Sequence, residues 1–237
     1  MRQLPLSVRL SDRALFASFL AGPNSVALGE IVALAARARP GLIWLCGPLG
    51  SGKTHLLQAL CARAGAAAAY LPLSQLQPFG AAALSDWQGT RWLCLDDVAL
   101  VVGDSAWERA MFALYRDCEE QGASLLMAAR ESPAELSFAL PDLASRCAAA
   151  HRLNLRALDE VEQCAALRLR AQQRGVELPA ATARYLQRRL PRDMASLFAV
   201  LDELDTAALA AQRRLTTPFI RDVLAQRAAP QGQPGTR

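Results

Sequence analysis

Lysine is almost missing from this sequence. Of its 26 basic residues, 25 are arginine, and the one lysine is Lys53. Histidine occurs twice and no two cysteines form a C-x-x-C pair, so a zinc site is not expected. No apolar run approaches the roughly 18 residues that a membrane span needs. The start, Met1-Arg2-Gln3-Leu4-Pro5-Leu6, lacks the apolar core of a secretory signal. The six cysteines (46, 61, 94, 118, 147 and 164) are far apart and mostly in apolar stretches. They read as reduced core residues of a cytoplasmic protein without a membrane partner. What is present, 237 residues of which 52% are hydrophobic, suffices for a large domain plus a small one and excludes global disorder. The net charge of +4 is uneven: residues 1–150 carry 12 basic and 13 acidic side chains, residues 151–237 carry 14 and 9. This basic excess in the C-terminal third is too modest to imply DNA binding alone.

Short apolar runs punctuate the first two thirds. Leu42-Ile43-Trp44-Leu45-Cys46 reads as a strand buried on both faces, after an amphipathic helix over 25–38 stopped by Pro40-Gly41. Further strands are expected at 70–73, 92–95, 125–128 and 151–155, with helices over about 53–64 and 105–121, the latter ending near Gly122. Strands alternating with helices predict a parallel sheet with helices on both sides. After residue 156 the strand signal stops. Asp159 and Glu162 form a capping-box pattern for a helix ending at Gly175, and Pro179 opens a second helix. Asp193 caps a third, and Thr217-Pro218 starts a fourth with the hydroxyl at the cap. A small all-helical domain is therefore expected behind an α/β one.

Gly47-Pro48-Leu49-Gly50-Ser51-Gly52-Lys53-Thr54 fits the phosphate-binding P-loop pattern G-x-x-x-x-G-K-S/T, in the required context of strand before and helix after. Its glycines let backbone N–H groups turn toward phosphate oxygens, Lys53 supplies a point charge at the β and γ phosphates, and Thr54 offers a hydroxyl to Mg²⁺. The sole lysine falls where a compact ammonium is wanted and arginine's planar fork does not fit. Leu93-Cys94-Leu95-Asp96-Asp97 is an apolar strand ending in two carboxylates, expected beside the P-loop strand. Taken alone, the pair reads better as a capped strand-to-helix turn. With a P-loop 43 residues earlier, Asp96 is expected to hold Mg²⁺ and Asp97 to orient an attacking water. Arg146, in Leu143-Ala144-Ser145-Arg146 before the fifth strand, is either a solvated surface arginine or an arginine finger offered to a neighbouring subunit's nucleotide. Gln3, Leu4, Leu6 and Val8 alternate in an extended tail that suits docking into another protein's pocket, or packing on its own domain.

Together these features resemble the AAA+ ATPases. More narrowly, the chain is similar to the ATPase domain of the replication initiator DnaA, and above all to the DnaA-related Hda family that inactivates the initiator after replication starts. The resemblance spans residues 3–226 and rests further on Phe16-Ala17-Ser18-Phe19, Gly22-Pro23-Asn24, Leu140-Pro141-Asp142 and Arg213-Arg214-Leu215-Thr216-Thr217-Pro218-Phe219. It implies a sliding-clamp-binding tail over 1–10, an AAA+ nucleotide-binding domain over 11–155, a helical lid over 156–227 and a disordered tail over 228–237. It implies that Gln3, Leu4, Leu6 and Val8 bind the clamp, and that Arg146 acts in trans on the initiator's ATP. The bound cofactor would be ADP (or ATP) with Mg²⁺, DNA would be reached through the clamp, and self-association is open. The family's polar sensor at the end of the fourth strand aligns with Arg130, and its lid sensor arginine with Ala195, Arg192 lying one turn away. Both losses imply weak hydrolysis by the chain alone with ADP binding intact. The alternative is a helicase or transposase loader of the same superfamily, running its own ATP cycle on single-stranded DNA. A small-molecule P-loop kinase fits less well, because four helices replace a short lid insertion. The initiator itself is not expected, since no helix-turn-helix domain follows the lid.

Overall fold

The computed structural model describes residues 14–36, 40–87, 89–191 and 193–228, with side chains through residue 225. Gln3, Leu4, Leu6 and Val8, Arg192 and the C-terminal residues 229–237 lie outside the described residues. The chain divides between Ala157 and Leu158 into two compact units.

The first unit runs α1 (Ser25–Ala36), β1 (Gly41–Cys46), α2 (Lys53–Ala64), β2 (Ala68–Pro72), the short α3 (Leu73–Leu76), β3 (Trp92–Asp96), α4 (Ser105–Gln121), β4 (Ser124–Ala129), α5 (Pro141–Ala148) and β5 (His151–Asn154). The five strands form one sheet in the order β2-β3-β4-β1-β5, every pair parallel. The apolar runs follow from burial on both faces. Leu42 and Trp44, Leu93 and Leu95, and Leu125 and Met127 face one core, with Trp107, Met111 and Leu114 of α4 and Leu143 of α5. The residues between them, Leu45, Cys94, Leu126 and Ala128, face the other core with Ile31 of α1 and Leu56, Leu57 and Leu60 of α2. Each fully buried leucine contributes about 1.5–3 kcal/mol. Helix α4 starts where Asp104 accepts the N–H groups of Ala106 (2.8 Å) and Trp107 (3.3 Å), and stops at Gly122, whose φ of +69° favours glycine.

One expectation fails in this sheet. The strand carrying Asp96 and Asp97 does not lie beside the P-loop strand; β4 is inserted between β3 and β1. Because all the strands are parallel, their C-terminal ends still share one edge, and β4 ends there in the small residues Ala128 and Ala129. Asp96 thus reaches the P-loop helix across the end of β4.

The second unit contains α6 (Glu160–Gln173), α7 (Ala180–Arg189), α8 (Met194–Ala211) and α9 (Thr217–Ala228). The Asp159 carboxylate accepts the Glu162 N–H at 2.8 Å and the Glu162 carboxylate accepts the Asp159 N–H at 2.9 Å, closing a capping box on α6. Asp193 caps α8 through the Ser196 N–H at 2.8 Å. These carboxylates satisfy N–H groups that a helix start leaves unpaired. At α9 the cap differs from expectation. The helix begins at Thr217, and the carbonyl of Thr216 accepts the first helical bond, from the Ile220 N–H at 3.0 Å. The Thr217 hydroxyl instead meets that of Thr182 in α7 at 3.3 Å. Arg170 of α6 and Arg174, which caps its end, pair with Asp202 of α8, and Arg174 also with Asp205 at 3.3 Å. Among the described residues no helix is long and apolar enough to cross a membrane.

Candidate nucleotide-binding site

The loop between β1 and α2 can turn only because of its glycines. Gly47 has φ +153°, and a Cβ there would lie 2.4 Å from the Leu155 carbonyl oxygen; its own N–H donates to the Arg130 carbonyl at 3.2 Å. Gly52 has φ +100° and no room either, since the Phe19 ring would be 2.5 Å from a Cβ. Both positions therefore require a residue without a side chain. Leu49 and Gly50 carry the loop's apex, Leu49 being 82% exposed, and Pro48 accepts the Ser51 N–H at 3.2 Å. The Ser51 hydroxyl is buried with no hydrogen-bond partner, an acceptor and donor free for a ligand.

Lys53 opens α2 and folds back over this cradle, its Nζ donating to the carbonyls of Gly47 (2.7 Å) and Pro48 (3.1 Å). Burial pushes its pKa down, while the charges of Asp96, Asp97 and Glu131 act to raise it. Thr54, next along, hydrogen-bonds the Asp96 carboxylate through its hydroxyl. Asp96 is 2% exposed and also accepts the Tyr70 hydroxyl at 2.8 Å and the Asp97 N–H at 3.1 Å. Burial raises the pKa of Asp96, and the hydrogen bonds from Thr54 and Tyr70 hold it down. Asp97 is exposed at the rim, in left-handed backbone with φ +60°. Among the described residues no group of three or more His, Cys, Asp or Glu side chains is placed to hold a metal. A paired hydroxyl and buried carboxylate beside a phosphate cradle is nevertheless a donor set that suits Mg²⁺, whose remaining ligands are phosphate oxygens and water.

The segment before α1 braces the cradle. Phe19, which covers Gly52, packs edge-on against His55 of α2 with 5.4 Å between ring centroids. His55 Nε2 donates to the Leu15 carbonyl at 2.9 Å. Asn24, 2% exposed, clasps the backbone of Arg156 through two hydrogen bonds of 2.7 and 2.9 Å.

Arg146 is elsewhere. It lies in the last turn of α5, exposed, with its guanidinium 5.7 Å from the ring centroid of Tyr115 in α4. Helix α5 leads into the start of β5, whose first residue His151 pairs with Ile43 midway along β1. Arg146 is therefore on the N-terminal side of the strands, whereas the P-loop leaves their C-terminal edge. The structure thus brings together Gly47 to Thr54, Asp96 and Asp97, and keeps Arg146 apart from them. The start of α5 is held by Glu108 of α4, fully buried, which accepts the N–H groups of Gly103 (2.7 Å), Ala139 (3.0 Å) and Leu140 (2.5 Å). Arg130 has an exposed side chain, as has Ala195 in the first turn of α8. Tyr70, Glu108 and Glu131 had no signal in the sequence. Each has a partner 26 or more residues away.

Residues 159–224 match the family of the Hda lid domain. Domain III of the Thermotoga maritima replication initiation protein DnaA superposes with a TM-score of 0.74 at 19% identity, over 93% of this chain and 99% of that one. The replication initiator DnaA bound to AMPPCP and single-stranded DNA gives 0.69 at 18% identity, over 92% of this chain and 70% of that one. The Thermotoga maritima RuvB branch migration motor gives 0.60 at 20% identity, over 87% of this chain and 68% of that one. The C-terminal region is thus Hda-like, and the chain has the AAA+ fold of DnaA domain III. At such identities the solved structures establish the fold alone, a five-stranded parallel AAA+ sheet flanked by helices, and the helical region that follows it matches the Hda lid over residues 159–224.

Proposed function

We propose that this chain is a nucleotide-gated regulator of the replication initiator DnaA. In this reading it docks on the DNA polymerase sliding clamp through Gln3, Leu4, Leu6 and Val8, and stimulates hydrolysis of the initiator's ATP through Arg146, which prevents re-initiation. It would act in the cytoplasm and reach DNA through the clamp. The observation that carries the reading is the exposure of Arg146 on the side of the sheet away from its own P-loop. A guanidinium so placed cannot serve its own nucleotide and is free to serve a neighbour's. Stacked near Tyr115 and attached to a helix anchored by Glu108, it meets that neighbour from a rigid element. Its charge matters only as the neighbour's γ-phosphate leaves, so its contribution belongs in the rate rather than in complex formation.

The chain's own nucleotide, read as ADP, would rest its phosphates on the N–H groups of Gly47 to Thr54 and on Lys53. Thr54 and Asp96 would hold Mg²⁺, which supplies charge neutralisation for the phosphates. Tyr70 keeps Asp96 pointed at Thr54, and Asp97 at the exposed rim is read as orienting water. With Arg130 turned to solvent and Ala195 bearing no charge, little among the described residues holds a γ-phosphate, and slow turnover is the reading. A loader with its own ATP cycle would need that turnover, and the Hda-type lid argues for the regulator instead.

The experiment is a reconstituted assay containing initiator loaded with ATP, clamp on DNA, and this protein. Arg146→Ala should keep ADP and clamp binding but lose stimulation by a factor on the order of 10³. Arg146→Lys should not restore it, since a point charge lacks the planar fork. Replacing Gln3, Leu4 and Leu6 by alanine should abolish clamp binding and, with it, stimulation. Undiminished stimulation by Arg146→Ala would place the finger elsewhere and return the loader reading.

A further inference from the structure

We propose that Glu131 is a specificity-determining residue of the nucleotide site: its carboxylate opposes a γ-phosphate and biases the P-loop toward a nucleoside diphosphate. The inference rests on the reading of the P-loop as a nucleotide site and goes beyond it, because it adds an active source of discrimination.

Residues 130 and 131 are pinned to the strand that feeds the P-loop. The Arg130 carbonyl accepts the Gly47 N–H at 3.2 Å, and the Glu131 carbonyl accepts the indole N–H of the fully buried Trp44 at 3.0 Å. Glu131 therefore stands beside the mouth of the cradle with its backbone fixed on both sides. One of its carboxylate oxygens is buried with no hydrogen-bond partner. Such an acceptor destabilises a fold unless something compensates. Its charge also reaches Lys53, alongside those of Asp96 and Asp97, so three carboxylates act on the only lysine of the chain.

Consider how phosphates would fill this site. The β-phosphate sits on the loop N–H groups and Lys53, and the γ-phosphate extends beyond Lys53 toward the strand ends. Asp96 is already engaged there by Thr54 and Tyr70. Glu131 has no hydrogen-bond donor on its buried oxygen, so a γ-phosphate extending past Lys53 would meet a like charge there. Two negative charges a few ångströms apart near a protein surface repel by enough to change affinity on the order of ten- to a hundredfold. The neighbouring Arg130 side chain is exposed.

Absence of γ-phosphate anchors and presence of a repelling carboxylate make different predictions. Without anchors alone, a diphosphate and a triphosphate bind equally. With Glu131 acting, the diphosphate wins, and removing the charge restores equality. The test is titration calorimetry of the full chain with ADP and with AMPPCP, a triphosphate analogue that resists hydrolysis, each with Mg²⁺. Wild type should bind ADP at least tenfold more tightly than AMPPCP. Glu131→Gln, which keeps the shape, should close that gap by strengthening AMPPCP and leaving ADP unchanged; Glu131→Ala should do the same. Arg130→Ala should leave the gap in place. Equal binding of both ligands by wild type, or a gap that persists in both Glu131 variants, overturns the proposal while the nucleotide site stands. Binding of neither ligand by wild type overturns the nucleotide site and the proposal together.

Discussion

Gly47→Ala tests the P-loop geometry most directly, because two separate costs meet at one atom. A side chain at φ +153° is strained, which costs about 1–3 kcal/mol. Its Cβ would also lie 2.4 Å from the Leu155 carbonyl oxygen and 3.0 Å from that carbonyl carbon. This is backbone, so no rotamer relieves the collision. Leu155 cannot retreat freely, because its N–H donates to the Cys46 carbonyl at 2.7 Å, extending the β1–β5 pairing. Forced displacement of packed groups adds about 1–3 kcal/mol. The total of about 2–6 kcal/mol is a large share of the 5–15 kcal/mol that holds a domain together. Two other glycines calibrate it. Gly65 has φ +58° and ψ −133° with open space around it, so Gly65→Ala should lose the strain alone, about 1–3 kcal/mol. Gly29 lies inside α1 with no positive φ and nothing within 4 Å, so Gly29→Ala should gain about 0.5–1 kcal/mol. All four tryptophans (44, 87, 92 and 107) belong to the first unit, so selectively excited tryptophan fluorescence during urea denaturation reports that unit. The expected order of midpoints is Gly29→Ala above wild type, then Gly65→Ala, then Gly47→Ala lowest. A Gly47→Ala midpoint equal to that of Gly65→Ala would refute the steric part of the reasoning.

Two more predictions concern stability. Arg174, its side chain 6% exposed, stands between Asp202 and Asp205, so Arg174→Ala would leave two carboxylates facing each other. With Asp202 itself 39% exposed, the loss should be about 1–3 kcal/mol, below the value for a fully buried pair, and visible in far-UV circular dichroism; an unchanged unfolding curve would dismiss the network. Burial pushes the Cys118 thiol up to about 11 and Cys147 up to about 12. In the unfolded chain such thiols ionise near about 8.5, so their protonated native form contributes stability below that pH and loses it as pH climbs toward 11 or 12. The melting temperature should therefore fall between about pH 8.5 and 11, and iodoacetamide at pH 8 should modify these two cysteines only after unfolding. Rapid alkylation of both in the native protein would contradict their burial.

What was legible in the sequence was local. Leu42 to Cys46 and Leu125 to Ala128 announce strands because both faces of a pleated strand are buried in a parallel sheet, and a run of apolar residues has no other economical place. Gly47 to Thr54 announces itself because the turn, the phosphate contacts and the helix start all demand particular residues at fixed spacing. Asp159 with Glu162, and Asp193, mark helix starts because a cap bonds to N–H groups two or three residues away. At Thr217 the same local logic slipped by one residue, since a hydroxyl on α7 competes for it. The tertiary structure alone decided that β4 separates β3 from β1, because strand order depends on pairings between segments tens of residues apart that no local pattern encodes. It alone decided that Tyr70 holds Asp96, that Phe19 roofs Gly52, that Glu108 fixes the start of α5, and that Trp44 pins the backbone of Glu131. Each of those contacts exists only once the parallel sheet has brought the ends of its strands to one edge, and Arg146 stands apart for the same reason, on the helix that returns the chain to the other edge.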